Sequence, residues 1–190
     1  MVLFMFAAAC RESGSAKVET NHSESPNTID PQKKLSTVKR DNTKVDFTVP
    51  VVVFVEIKSK DIEVRGNDSY SIYSFEENIL FDVNKSTIRQ QGQDKLIEII
   101  ASINKRYAGA EIVVYGFTDS DGSKDYNKAL AVDRANTVKL YLQQKGNIGS
   151  DRISVRGKGE QNPISTNESE NGRQKNRRVE IVAIKDYQMQ

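Results

Sequence analysis

The sequence predicts an α/β (α+β) sandwich, β-α-β-α-β-β in order, with two helices on one face of a small mixed sheet. Three observations lead there. Leu96, Ile99, Ile100, Ile103 and Tyr107 recur at i, i+3, i+4, i+7 and i+11, the stripe of a helix with one buried face. A second helical stretch covers about 126–145 and stops at Gly146. Between and after them lie short β-branched runs, Ile112-Val113-Val114, Ile153-Ser154-Val155 and 178–184, whose alternation with helices calls for a layered fold.

The elements of the predicted domain, residues 70–186, follow in order. Ile79-Leu80-Phe81 reads as a short buried strand leading into Asp82-Val83-Asn84-Lys85-Ser86. A helix is expected from about Ser86 to Tyr107, ended by Gly109. Residues 111–115 form a strand whose nearly unbroken apolar run implies burial on both faces. A polar loop precedes the second helix. Then come the strand at 153–155, a polar turn-rich segment over 157–174, and the last strand at 178–184.

Three segments precede this domain. Residues 1–10 are an apolar run closed by small residues, the pattern of a secretory signal, and far short of the roughly 20 residues of a spanning helix. Ala7-Ala8-Ala9-Cys10 resembles a lipobox, so Cys10 is the expected lipidation site. No Lys or Arg precedes the run, and Ala7 stands where Leu is usual, which leaves an unlipidated signal peptide or a chance apolar start as the alternative. Residues 11–44 are Ser, Asn, Thr, Lys and Glu with little to bury, and read as a flexible linker. As a coil, about 34 residues reach roughly 30 Å. Residues 45–69 form a β-rich extension built on Val49-Pro50-Val51-Val52-Val53-Phe54-Val55, with a hairpin turn expected near Ser59-Lys60-Asp61.

Composition narrows the function classes. The 28 Lys and Arg against 26 Asp and Glu leave a formal charge of +2, which offers no general field for nucleic acid. One cysteine and one histidine in 190 residues exclude an internal disulfide and any Cys- or His-built zinc site. Neither a metal nor another cofactor is expected.

Chemistry concentrates in 115–134. Asp119 follows the C-terminal end of a buried strand, where ligand sites collect in open α/β sheets. Arg134 lies four residues after Leu130 and four before Val138, in one row of the second helix. Its stem therefore runs along apolar surface while its head emerges near the loop carrying Asp119. A carboxylate beside a guanidinium makes a two-point receptor for a group bearing both ammonium and carboxylate. From spacing alone, an ordinary structural Asp–Arg salt bridge is at least as good a reading. A calcium loop over Asp119, Asp121 and Asp125 fails because Leu130 stands where a bidentate Glu is needed. An acid–base pair for sugar cleavage lacks an aromatic-lined cleft, in a chain without Trp. The basic run 172–178 taken alone is a solvated turn or an anion patch.

Together these stretches resemble the OmpA-like peptidoglycan-binding domain family. The matching residues are Ile79-Leu80-Phe81-Asp82 through Ser86, then Gly116-Phe117-Thr118-Asp119 with Gly122. Asn127, Leu130, Arg134-Ala135 and Val138 follow, then 157–163, Gly172-Arg173 and Asn176-Arg177-Arg178-Val179-Glu180. Several motifs stand in the family's order and spacing over about 105 residues. The resemblance implies the same sandwich and a non-catalytic binder of the diaminopimelate in the peptidoglycan stem peptide. It implies that Asp119 takes the side-chain ammonium and Arg134 a carboxylate, that Asn84, Thr118 and Asn127 line the pocket, and that Arg178 supports it. Phe117 departs from the more common His, and Asp133 adds a charge beside Arg134. With no barrel strands or stator-like membrane helix before the domain, the lipid-anchored members of that family are the nearest kind.

The expectation is a lipoprotein of the outer membrane, facing the periplasm, that tethers that membrane to the cell wall. A second reading makes it a periplasmic regulatory protein whose 45–69 extension binds a signalling partner, with wall binding as a gate. Exposed side chains at Val51, Val53 and Val55 would favour it.

Overall fold

The computed structural model describes residues 45–82 and 87–185. The expected signal and linker, with Cys10, and the candidate Asn84 lie outside the described residues.

Five strands form one mixed sheet. They are β1 (Glu63–Gly66), β2 (Tyr70–Glu76), β3 (Glu111–Phe117), β4 (Ile153–Gly159) and β5 (Arg178–Ile184). Their order across the sheet is β1-β2-β5-β3-β4, with β3 and β4 parallel and every other neighbouring pair antiparallel. The helices are α1 (Glu77–Leu80), α2 (Gln90–Arg106), α3 (Lys124–Gly146) and α4 (Glu170–Asn176). A 3₁₀ turn at Ser150–Arg152 leads into β4.

The period-2 alternation of the strands sorts their side chains onto two faces. Tyr73, Phe75, Ile112, Val114, Val179 and Ile181 meet Leu96, Ile99 and Ile103 of α2 and Ala135, Val138 and Leu142 of α3 in the main core. Both long helices therefore cover one face, as the sequence predicts. The close approach of α3 demands glycine: a Cβ on Gly116 would sit 2.1 Å from the Ala131 carbonyl oxygen, and one on Gly157 2.4 Å from Val132. Ser123 caps α3, its Oγ accepting the Tyr126 N–H at 3.2 Å. Asn147 ends the helix in the left-handed conformation, φ 49°.

The opposite face carries Tyr70, Ile72, Val113, Tyr115, Phe117 and Val182, and the extension covers it with Val45, Phe47 and Val49. Phe47 packs edge-on against Tyr115 and Phe117, with centroids 5.2 and 5.7 Å away. The extension then rounds the sheet edge, where Val52 N donates to Val64 O and Gly66 N to Pro50 O. Beyond it, Val52, Phe54 and Ile57 join the main core.

Three local expectations give way. The hairpin turns at 67–69 rather than at 59–61: Asn67 Oδ1 accepts the N–H groups of Ser69 and Tyr70 and closes the β1–β2 turn. The segment 59–61 is instead tied to α2, with Glu98 Oε2 accepting from the Ser59 N–H and Lys95 pairing with Asp61 at 3.1 Å. Ile79-Leu80-Phe81 is no strand: Glu77–Leu80 makes a single helical turn, and Phe81 forms an isolated bridge with Ile88. The strand in that region is β2, where Ser71 and Ser74 are buried and blunt the apolar signal. Tyr107 hydroxyl takes up Ser71 at 2.5 Å, and Tyr73 hydroxyl meets Ser102 at 2.8 Å. Finally, the turn-rich segment 157–174 contains the start of α4, capped by Ser169.

Candidate functional site

Strand register brings the site together. Glu76 lies opposite Arg178 in the β2–β5 pairing, and Phe117 opposite Arg178 in the β3–β5 pairing. The residues just past these pairs, Glu77, Arg177 and the Thr118-Asp119 dipeptide, must therefore meet at one end of the sheet. Glu77 N donates to Arg177 O at 2.9 Å and fixes two of them directly. Arg134 reaches the same place from α3.

A cleft of about 350 Å³ opens here, lined by Thr118, Asp119, Asn127, Leu130, Arg134, Glu77 and Arg177 among others. Four of the expected site residues thus share one cavity. The loop is held from several sides. Thr118 N donates to Gly159 O, Thr118 Oγ1 and Asn127 Nδ2 both donate to Asp119 O, and Asp121 N caps Asp119 Oδ1.

Asp119 and Arg134 each have another partner. Arg177 Nη1 donates to Asp119 Oδ2 at 2.6 Å, and Arg134 Nη1 donates to Glu77 Oε2 at 2.5 Å. Arg177 is steadied in turn by Glu170 and Gln174, each at 2.7 Å. Glu77 and Arg134 are buried, 7% and 3% exposed. Burial raises the Glu77 carboxyl above its usual range, with Arg134 and Arg177 pulling against it and Asp119 adding to the rise. Burial likewise lowers Arg134, opposed by Glu77. Arg134 Nε is buried without a hydrogen-bond partner. The arrangement suits a small, doubly charged ligand that brings its own counter-charges.

Arg178 lies elsewhere. Strand alternation turns it to the face away from α3, where its guanidinium stacks 3.7 Å above the Phe117 ring and Nε donates to Glu180 Oε1 at 2.8 Å. The same Glu180 oxygen accepts from Arg65 Nη2 at 2.8 Å. This is a buried structural network beneath the extension. Glu77 and Arg177 are cleft residues that sequence reasoning did not single out. The signal for Arg177 was its place in the 172–178 basic run; nothing comparable marked Glu77. Among the described residues there is no cluster of His, Cys, Asp or Glu able to hold a metal, and no helix is long and apolar enough to cross a membrane.

The chain matches the OmpA family over residues 80–177. It is 41% identical over 110 residues to outer membrane protein A of Bordetella avium, covering 58% of this chain and 56% of that one. Identity to outer membrane protein A of Salmonella typhi is 41% over 100 residues, covering 52% and 28%. The chain thus spans between about a quarter and just over half the length of these relatives. Among solved structures it is similar to the cell wall anchor of the T6SS from Pseudomonas aeruginosa (TM-score 0.62, 26% identity, 69% of this chain and 92% of that one). The periplasmic domain of Helicobacter pylori MotB is also similar (TM-score 0.60, 29% identity, 68% and 82%). With the matched segment spanning both long helices and the cleft residues from Phe81 to Arg177, the chain belongs to the OmpA family.

Proposed function

We propose that this domain binds the diaminopimelate-containing stem peptide of peptidoglycan, non-covalently and without catalysis, and that lipidation at Cys10 ties it to the outer membrane. The carrying observation is the single cleft that gathers Thr118, Asp119, Asn127 and Arg134 at the sheet end. The similarity to a structure described as a cell wall anchor supports the same reading. Diaminopimelate ends in an ammonium and a carboxylate on one carbon, the charges that a paired carboxylate and guanidinium recognise.

The test is co-sedimentation of the full chain with purified diaminopimelate-type sacculi. The wild type pellets with the wall. Asp119→Ala and Arg134→Ala stay in solution while folded, each losing roughly 2–5 kcal/mol of binding because a partner charge is stranded. Equal pelleting of all three would sink the site. No soluble muropeptides should appear during incubation; their release would make the protein a hydrolase. Acylation of Cys10 is read by mass spectrometry of the mature protein.

A second reading has support of its own. Val51, Val53 and Val55 are 64%, 88% and 68% exposed on the extension, on the side opposite the residues that enter the core. Such a strip suits a periplasmic protein partner. A photocrosslinker placed at Val53 should give a discrete envelope adduct that Val51→Asp abolishes, with wall binding unchanged. Absence of any adduct would discard the reading.

A further inference from the structure

The cleft holds a balanced set of four buried or half-buried charges rather than two. Arg134 is committed to Glu77 and Arg177 to Asp119. Asp121 and Glu170 stand at the rim, with exposed side chains that water screens. A ligand with an ammonium alone would leave the inner set with one uncompensated positive charge in a poorly hydrated space. A ligand with ammonium and carboxylate on the same carbon preserves the balance by inserting between the two ion pairs. Its carboxylate then faces both guanidinium groups. Its ammonium faces both carboxylates. Arg134 bonds Glu77 Oε2, so the ammonium would meet the second carboxylate oxygen, Oε1.

Resting on the stem-peptide reading, we propose that Glu77 is a ligand-contacting residue that shares the diaminopimelate ammonium with Asp119, so that the pocket selects a zwitterionic carbon. Glu77 thereby acts as a specificity residue against side chains that carry the carboxylate without the ammonium, while the two guanidinium groups disfavour stems ending in lysine, which lack the carboxylate. The same guanidinium groups disfavour stems whose terminal carboxylate is amidated.

The test is a calorimetric cycle on the full chain with two ligands. One is the stem tripeptide ending in meso-diaminopimelate. The other replaces that residue with 2-aminopimelate, which keeps the distal carboxylate and lacks the ammonium. Glu77→Gln should weaken the first ligand about tenfold and the second less than about twofold, as expected for loss of one charge-assisted hydrogen bond. Glu77→Asp, which keeps the charge, should recover part of the difference and serves if Glu77→Gln fails to fold. Equal weakening of both ligands would show that Glu77 only positions Arg134, and tighter binding of both that it competes with the ligand; either overturns the proposal. If binding of the first ligand depends on Asp119 but not on Glu77, this inference falls and the stem-peptide reading stands. If the folded wild type binds neither ligand, both fall together.

Discussion

Gly116 has no room for a side chain, because α3 lies directly on β3 with the Ala131 carbonyl in the way. Gly116→Ala should therefore cost about 3 kcal/mol or more in denaturant unfolding, since backbone on both sides must shift. Glu180 is fully buried between Arg65 and Arg178. Glu180→Ala leaves the Arg178 guanidinium without its carboxylate and Arg65 with only the exposed Glu63, and should lose roughly 3–5 kcal/mol of stability by the same measurement. Arg178→Met should destabilise the fold as well, yet leave sacculus binding per folded molecule within about twofold of wild type. A specific loss of binding would return Arg178 to the site. At this scale the sequence was legible where periodicity spoke. Arg134 stands in a row with Leu130 and Val138, so the direction of its stem followed from helical spacing, while the burial of its head against Glu77 did not. Arg177 and Arg178 are neighbours of identical chemistry, and only the start of β5 decides which one faces the cleft. Glu77 was hidden for a different reason: it heads a single helical turn before Leu80 and Phe81, a stretch whose apolar run reads as strand.

The extension is the element whose role the sequence left most open, and the structure makes it part of the folded body. Phe54 lies under the Arg106 guanidinium, 3.8 Å from its centre. Glu56 accepts from Arg106 Nη2 at 3.0 Å, from Arg106 Nε, and from Ser102 Oγ at 2.9 Å. The Arg106 hydrogen bond pushes the Glu56 carboxyl down to about 2. A depressed carboxyl contributes stability that is fully present above its ordinary value near 4.5 and is lost as pH falls toward 2. In thermal melts, Glu56→Gln should be less stable than wild type above about pH 5, with the gap closing as pH approaches 2. A gap that persists unchanged in acid would mean that the clamp does not rest on this charge. The β-branched density over 49–55 reads as strand, but there only Val51 bridges to the sheet, at Arg65, and which side of the segment is buried follows from its packing rather than from a ladder. Its path around the sheet edge was not legible, because it depends on Arg65 and Glu180, which are 115 residues apart in the chain.

Considered as a whole molecule, the sandwich was readable because α2 carries a strong apolar stripe, α3 stops at Gly146, and the strands alternate with the helices. The sheet order β1-β2-β5-β3-β4 was not, since it is set by pairings between distant segments. Wall binding through a partly buried, charge-matched cleft should weaken as salt rises, but less steeply than a surface ion pair of the same charge. Sacculus pelleting between 50 and 500 mM NaCl measures this, and complete loss by 150 mM would indicate a superficial charged patch instead. The cleft also draws its four inner charges from residues 77, 119, 134 and 177, which nearly bracket the folded domain. A ligand seated there is a clasp across the whole chain: it cannot form until the last strand has closed the sheet, and it must be released before that strand leaves. A copy engaged with the wall is therefore harder to unfold than a free one, by an amount that grows with ligand concentration. Grip would report completed folding, and damaged or truncated copies would be left unattached.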